Sequence, residues 1–127
     1  MQEDSTLEIV NAVIESVSLG AYDGKGSCLT AWLHLSYDGS GQGFGGYALY
    51  LPKSWKHHAI ESPAGHFIQR CLDIADVTEW SKLPGKTIRV KKPTGWGGTI
   101  KGIGHIIKDD WFYPEVDFAK AREGAVA

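Results

Sequence analysis

Residues 29–37 read Leu-Thr-Ala-Trp-Leu-His-Leu-Ser-Tyr, and residues 38–46 continue Asp-Gly-Ser-Gly-Gln-Gly-Phe-Gly-Gly. In the first stretch Leu29, Ala31, Leu33, Leu35 and Tyr37 alternate with Thr30, Trp32, His34 and Ser36, the period of a strand with one buried face. The second packs five of the chain's sixteen glycines into eight residues, after which Tyr47, Leu49 and Leu51 alternate again up to Pro52. This pattern predicts two strands joined by a glycine-rich loop over residues 39–47. Glycine lets backbone amides approach a ligand closely and costs entropy on folding, so a cluster of this kind implies a geometric need.

Toward the N-terminus, residues 7–19 are rich in Val, Ile and Leu, but Ile9, Val13 and Val17 recur at mixed spacings that leave strand and helix both open. Strand is the assignment, because residues 20–26, Gly-Ala-Tyr-Asp-Gly-Lys-Gly, have turn chemistry and would close a hairpin onto residues 29–37. Toward the C-terminus, residues 53–62 read as loop. Ser62-Pro63 then supplies a capping hydroxyl and the residue suited to the first helical position. Ala64, Phe67, Ile68, Cys71, Leu72 and Ala75 follow at helical spacing. Residues 86–91 and 99–107 predict a second hairpin across the glycine turn 93–98, and Pro114 opens a short terminal helix. The expected architecture is α+β: an antiparallel sheet of about five strands curled toward a barrel, one helix packed across it, and a short C-terminal helix. A single domain over residues 1–127 is expected, with 1–6 and 123–127 frayed.

The composition, 43% hydrophobic and 22% charged, suits a core that needs neither metal nor disulfide. Thirteen basic against fifteen acidic residues give a net charge of -2, which excludes binding of nucleic acid by bulk charge alone. The distribution is uneven. Residues 81–108 hold Lys82, Lys86, Arg89, Lys91, Lys92, Lys101 and Lys108 and no acid. Cys28 and Cys71 lie in apolar patterns without metal or redox spacing and read as reduced core residues. There is no signal-peptide layout and no membrane-length apolar run, so a cytoplasmic protein without membrane partners is expected.

Gly41, Gly43 and Gly46 formally match the dinucleotide-binding glycine pattern, but that motif needs a helix after the glycines and here a strand follows. A phosphate-holding backbone loop with Gln42, Phe44, Gly45 and Tyr47 remains, beside its structural alternative, a wide turn or bulge whose glycines pack against Trp32 or Trp96. Arg89 and Lys91 share one strand face, Lys101 on the next strand would join them, and Trp96 sits in the turn between. Cations interleaved with an aromatic can hold phosphate and stack a base, although a solvated basic face explains them too. Of the five histidines, His34, His57, His58, His66 and His105, none has metal-ligand spacing, and no cofactor is implied. His34 and His105, with Asp38, are the acid–base candidates should the protein be an enzyme. Trp111-Phe112-Tyr113 is expected to plug one end of the sheet.

Four segments, Leu29-Thr-Ala-Trp-Leu-His-Leu, Gly39-Ser-Gly-Gln-Gly-Phe-Gly-Gly-Tyr-Ala-Leu49, Leu83-Pro-Gly-Lys-Thr-Ile-Arg-Val90 and Gly102-Ile-Gly-His-Ile-Ile-Lys-Asp-Asp-Trp-Phe112, carry a resemblance over nearly the whole chain. It resembles a family of small uncharacterised proteins encoded by tailed bacteriophages and prophages. The resemblance implies a host-cytoplasmic setting and brings no catalytic residue with it. Three readings follow. The first is a non-catalytic phage accessory protein that binds a nucleotide or single-stranded nucleic acid through Gly41, Gln42, Gly43, Phe44, Gly45, Tyr47, Arg89, Lys91, Trp96 and Lys101. The second is an interaction protein that inhibits a host defence factor, with homo-oligomers formed through a sheet edge. An enzyme using His34, His105 and Asp38 is the third.

Overall fold

A computed structural model describes residues 7–22, 25–37, 39–56, 59–94 and 99–126. The fold is α+β, with two helices and an antiparallel sheet of seven strands that does not close. The strands are β1 (Leu7–Tyr22), β2 (Lys25–Tyr37), β3 (Ser40–Gly45), β4 (Leu49–Tyr50), β5 (Thr87–Pro93), β6 (Gly102–Gly104) and β7 (Trp111–Phe112). Their spatial order is β3-β2-β1-β5-β6-β7, with β4 also pairing β2. Helix α1 spans Pro63–Ala75 and α2 spans Pro114–Val126.

The expected sheet is corrected in its details. The sheet has seven strands and stays open, where about five curled strands were expected. The extra strands come from sequence too glycine-rich or too short to show a period. The supposed loop at residues 39–47 is mostly β3, hydrogen-bonded to β2 from Tyr37↔Ser40 to Trp32↔Gly45, so the connection from β2 to β3 falls before Ser40. Gly46, Tyr47 and Ala48 interrupt this edge before β4 resumes pairing at Leu49↔Leu29. The strand expected over 99–107 is only Gly102–Gly104, and β7 adds a two-residue edge outside it.

One face of the sheet is the core. Ala12, Ile14, Ala31, Leu33, Leu35, Phe44, Ile88, Val90, Ile103 and Phe112 point into it, and α1 covers them with Ala64, Phe67, Cys71, Ile74 and Ala75. The α1 terminus forms as its sequence dictates: the Ser62 hydroxyl accepts from the Gly65 amide at 3.1 Å, and Pro63 occupies the first turn. Phe44, Phe67, Phe112 and Tyr47 stack and meet edge-on at the centre, with ring centroids 5.5–6.3 Å apart. In β1 the register slips between Ile14 and Ser16, a bulge at Glu15. Before it the even residues face the core, and after it the odd ones do.

Lys92 does not join the exposed basic run. It follows Ile88 and Val90 onto the core side and is 5% exposed. There its ammonium donates to Glu8 at 2.8 Å and to the Pro93 carbonyl at 3.0 Å and lies 5.5 Å over the Tyr37 ring. Both helices lie on the core side, and no helix among the described residues is long and apolar enough to cross a membrane. Among the described residues the opposite face of the sheet carries no helix.

Candidate functional site: the uncovered face of the sheet

On the uncovered face, glycines on one strand make room for aromatic rings from the next. Trp32 of β2 lies across β3: a Cβ added at Gly43 would sit 2.8 Å from its ring, and one at Gly46 would sit 2.3 Å from it. The Trp32 and His34 rings are parallel within 16°, with centroids 6.4 Å apart. The same device recurs at the other end of the sheet. A Cβ on Gly104 would meet Trp111 at 2.6 Å, and one on Gly102 would meet Tyr113 at 2.4 Å. Those two rings are parallel within 10°, at 6.1 Å. Trp32 toward one end of the sheet, and Trp111 and Tyr113 at the other, are thus laid flat on glycine backbone. From β2 to β7 is four strand spacings, about 19 Å.

Between the pairs stand the cations. The register Asn11↔Arg89↔Gly104↔Trp111 puts Arg89 in one cross-strand row with Trp111, and its guanidinium lies 4.9 Å over that ring. It also donates to the carbonyls of His105 and Lys108, both at 2.7 Å, which fastens the 105–108 segment to β5. Lys91, in the row Ile9↔Lys91↔Gly102, holds its ammonium 5.4 Å over both Trp111 and Tyr113. Trp32, Ile9 and Val13 remain open to solvent on this face.

The other sequence candidates are distributed differently. Gly41 and Gly43 share this face but lie on the far edge, three strands from Arg89 and Lys91. Gln42 accepts a hydrogen bond from the Tyr37 hydroxyl at 2.5 Å. Phe44 is 1% exposed, and Tyr47 packs beside it and Phe118, so both belong to the core side. Gly45 presses its backbone against Ala31. Lys101 lies just before β6 and is exposed, and its amide donates to the Lys91 carbonyl at 2.8 Å. Trp96, Asp38, His57 and His58 lie outside the described residues.

His34 and His105 are not brought together. Three strand spacings, about 14 Å, separate β2 from β6. His34 lines an open groove of about 540 Å³ with Glu15, Ser36 and Gly41, whereas His105 lines a separate cleft of about 410 Å³ with Asp76 and Lys86. Both His105 nitrogens are occupied. Nδ1 accepts from the Ile107 and Lys108 amides, each at 3.0 Å, which leaves Nε2 to donate to Asp76 at 3.2 Å. Asp76 caps α1 in the left-handed conformation at φ 63°. The His105 hydrogen bond, with the Lys108 charge second, holds its carboxyl below the usual range. This arrangement shapes a loop and leaves the imidazole no lone pair for substrate. His66 bonds Asp117 at 2.8 Å and ties α1 to α2. Among the described residues no three His, Cys, Asp or Glu side chains cluster as a metal site.

Tyr47 also carries a pH prediction. Burial, with the Glu115 carboxylate second, pushes its hydroxyl from 10.0 up to about 12. The folded chain therefore holds the phenolic proton more tightly than the unfolded chain does, so stability is fully present below pH 10.0 and is lost as pH rises toward 12. Solvent screening at this half-buried ring reduces the loss to about 1 kcal/mol. Urea midpoints compared at about pH 9 and about pH 11.5 should show the loss, and Tyr47→Phe should remove it.

Sequence reasoning missed Trp111 and Tyr113 as residues of this face, whereas it set Trp32 opposite the core residues and offered it, with Trp96, as a ring against which the glycines pack. A signal was present: Gly102-x-Gly104 and Trp111-x-Tyr113 have the same two-residue spacing, the pattern of rings bedded on a neighbouring strand. No protein-family profile, curated protein or solved structure matches this chain.

Proposed function

We propose that the uncovered face binds single-stranded nucleic acid without catalysis. The observation that carries this reading is that two parallel aromatic pairs share one sheet face, which carries no helix among the described residues, with Arg89 and Lys91. Exposed rings on an antiparallel sheet stack bases whatever their sequence, and cations in the same rows take the phosphates. With a net charge of -2 the chain has no global attraction for polyanions, so binding depends on these local cations and on stacking. We read the setting as a phage-infected bacterium, on the strength of the resemblance at residues 42–47 and 103–112.

Fluorescence anisotropy with labelled oligothymidylate and oligouridylate tests the reading. Binding should weaken as salt rises, and Lys91→Ala should flatten the log–log salt slope by about 0.7, one phosphate contact on a single strand. Lys120→Ala, on α2, should change neither affinity nor slope. Absence of binding at low salt, or binding indifferent to Lys91→Ala, would sink the proposal.

A second reading, a protein-interaction inhibitor of a host factor, is favoured by one feature of the same face. Ile9, 50% exposed, and Val13 stand in the middle of it. That reading predicts a bacterial protein captured by the tagged chain and lost with Ile9→Lys, while Lys91→Ala leaves the capture intact.

A further inference from the structure

The sixteen-residue β1 is paired on both sides only near its middle. On the β5 side the ladder ends at Val13↔Thr87, followed by the bonds of Ile14 to Gly85 and Lys86. Beyond these, residues 16–22 make no backbone hydrogen bond on that side among the described residues, although β2 pairs the other side as far as Tyr22. The result is an open strand edge, a row of amides and carbonyls that templates another strand.

Folded proteins guard such edges with lysine, proline, a bulge or shortness. The far edges of this sheet follow the rule: β7 is two residues long, and the β3/β4 edge is interrupted at residues 46–48. Residues 16–22, Ser-Val-Ser-Leu-Gly-Ala-Tyr, contain no charge and no proline; the bulge at Glu15 precedes them, and the register with β2 slips again only at their end, between Ala21 and Tyr22. After that bulge Val17, Leu19 and Ala21 share the core-side parity of their partners Leu33, Ala31 and Leu29. The helical layer does not reach Leu19, which is 46% exposed.

We propose that a second copy of this chain occupies the edge, β1 against β1, antiparallel about a two-fold axis normal to the sheet. An isologous contact sets each group near its own symmetry mate, so a charge close to the axis would face itself. A neutral segment meets that requirement, whereas a strand from an unrelated partner would place no such demand on it. Pairing satisfies the open backbone groups, and Val17 and Leu19 cover their counterparts on the core side. Two seven-stranded sheets become one continuous sheet whose uncovered faces look the same way. The proposal is independent of what those faces bind.

Sedimentation equilibrium of the full chain tests it, with circular dichroism reporting folding. The wild-type chain should have twice its 13.9 kDa mass and dissociate on dilution. Leu19→Lys sets two ammonium groups across the axis on one face, and Ser18→Lys does so on the other. Each folded variant should sediment as a monomer where the wild type is a dimer. Val116→Lys, at an equally exposed apolar position on α2, should leave the dimer unchanged. A wild-type monomer at every concentration, a dimer that survives both edge variants, or one that Val116→Lys dissolves equally well would overturn the proposal.

Discussion

Gly45→Ala is expected to destabilise the fold by more than about 3 kcal/mol, from backbone strain together with steric overlap. Gly45 sits at φ +132°, where a side chain is strained whatever the space around it. A Cβ there would lie 2.1 Å from the Ala31 carbonyl oxygen and 3.0 Å from its carbon. Both obstacles are backbone of the central strand β2, which cannot yield without breaking its pairing to β1 at Leu19↔Ala31. Two neighbouring glycines make internal controls. Gly39, at φ +73° with no atom near an added Cβ, has strain alone, and Gly39→Ala should cost about 1 kcal/mol. Gly41 has ordinary φ and only the Leu35 carbonyl, 3.5 Å away, so Gly41→Ala should be neutral or stabilise by about 0.5 kcal/mol. Urea midpoints should rank the three in that order. Equal effects would mean that the cluster acts through flexibility and not through geometry.

That graded series explains why the glycines misled the sequence reading. A residue without a side chain has no periodicity, so β3 could not announce itself as a strand, and its glycines read as a loop. Two of them have a neighbour as their cause: Trp32, which the sequence offered together with Trp96 as the ring to pack against, lies over Gly43 and Gly46. The parts that were legible depend on local patterns. Residues 29–37 alternate because β2 is central and has one face on the core, and α1 follows from Ser62, Pro63 and a 3.6-residue stripe. The mixed spacings of residues 7–19 have a physical origin in the Glu15 bulge, which moves the core face from Ile14 to Val17. The site was half legible. Arg89 and Lys91 were assigned to one face by parity, and the register agrees, but a two-residue β7 is too short to show a period. The rings of Trp111 and Tyr113 therefore could not be set beside those cations without the fold.

Trp32→Ala is expected to weaken oligonucleotide binding by about 5- to 150-fold, the effect of about 1–3 kcal/mol for one stacked base. One side of the Trp32 ring rests on glycine backbone and the residue is 37% exposed, so a base has access to the outer side without any rearrangement of the core. Trp32→Phe keeps a flat ring over Gly43 and should recover most of the affinity, a result that loss of folding could not mimic. The effect must also be separable from charge. Stacking releases no counterions, so Trp32→Ala should lower affinity equally at every salt concentration, while Lys91→Ala changes the slope. Trp111 makes a poorer test, because Arg89 and Lys91 lie over its ring and its loss would disturb both cations. If Trp32→Ala leaves affinity unchanged, or alters the salt slope as Lys91→Ala does, the aromatic pair on β2 is not a base platform. The exposed Ile9 and Val13 would then support protein recognition as the better reading of this face.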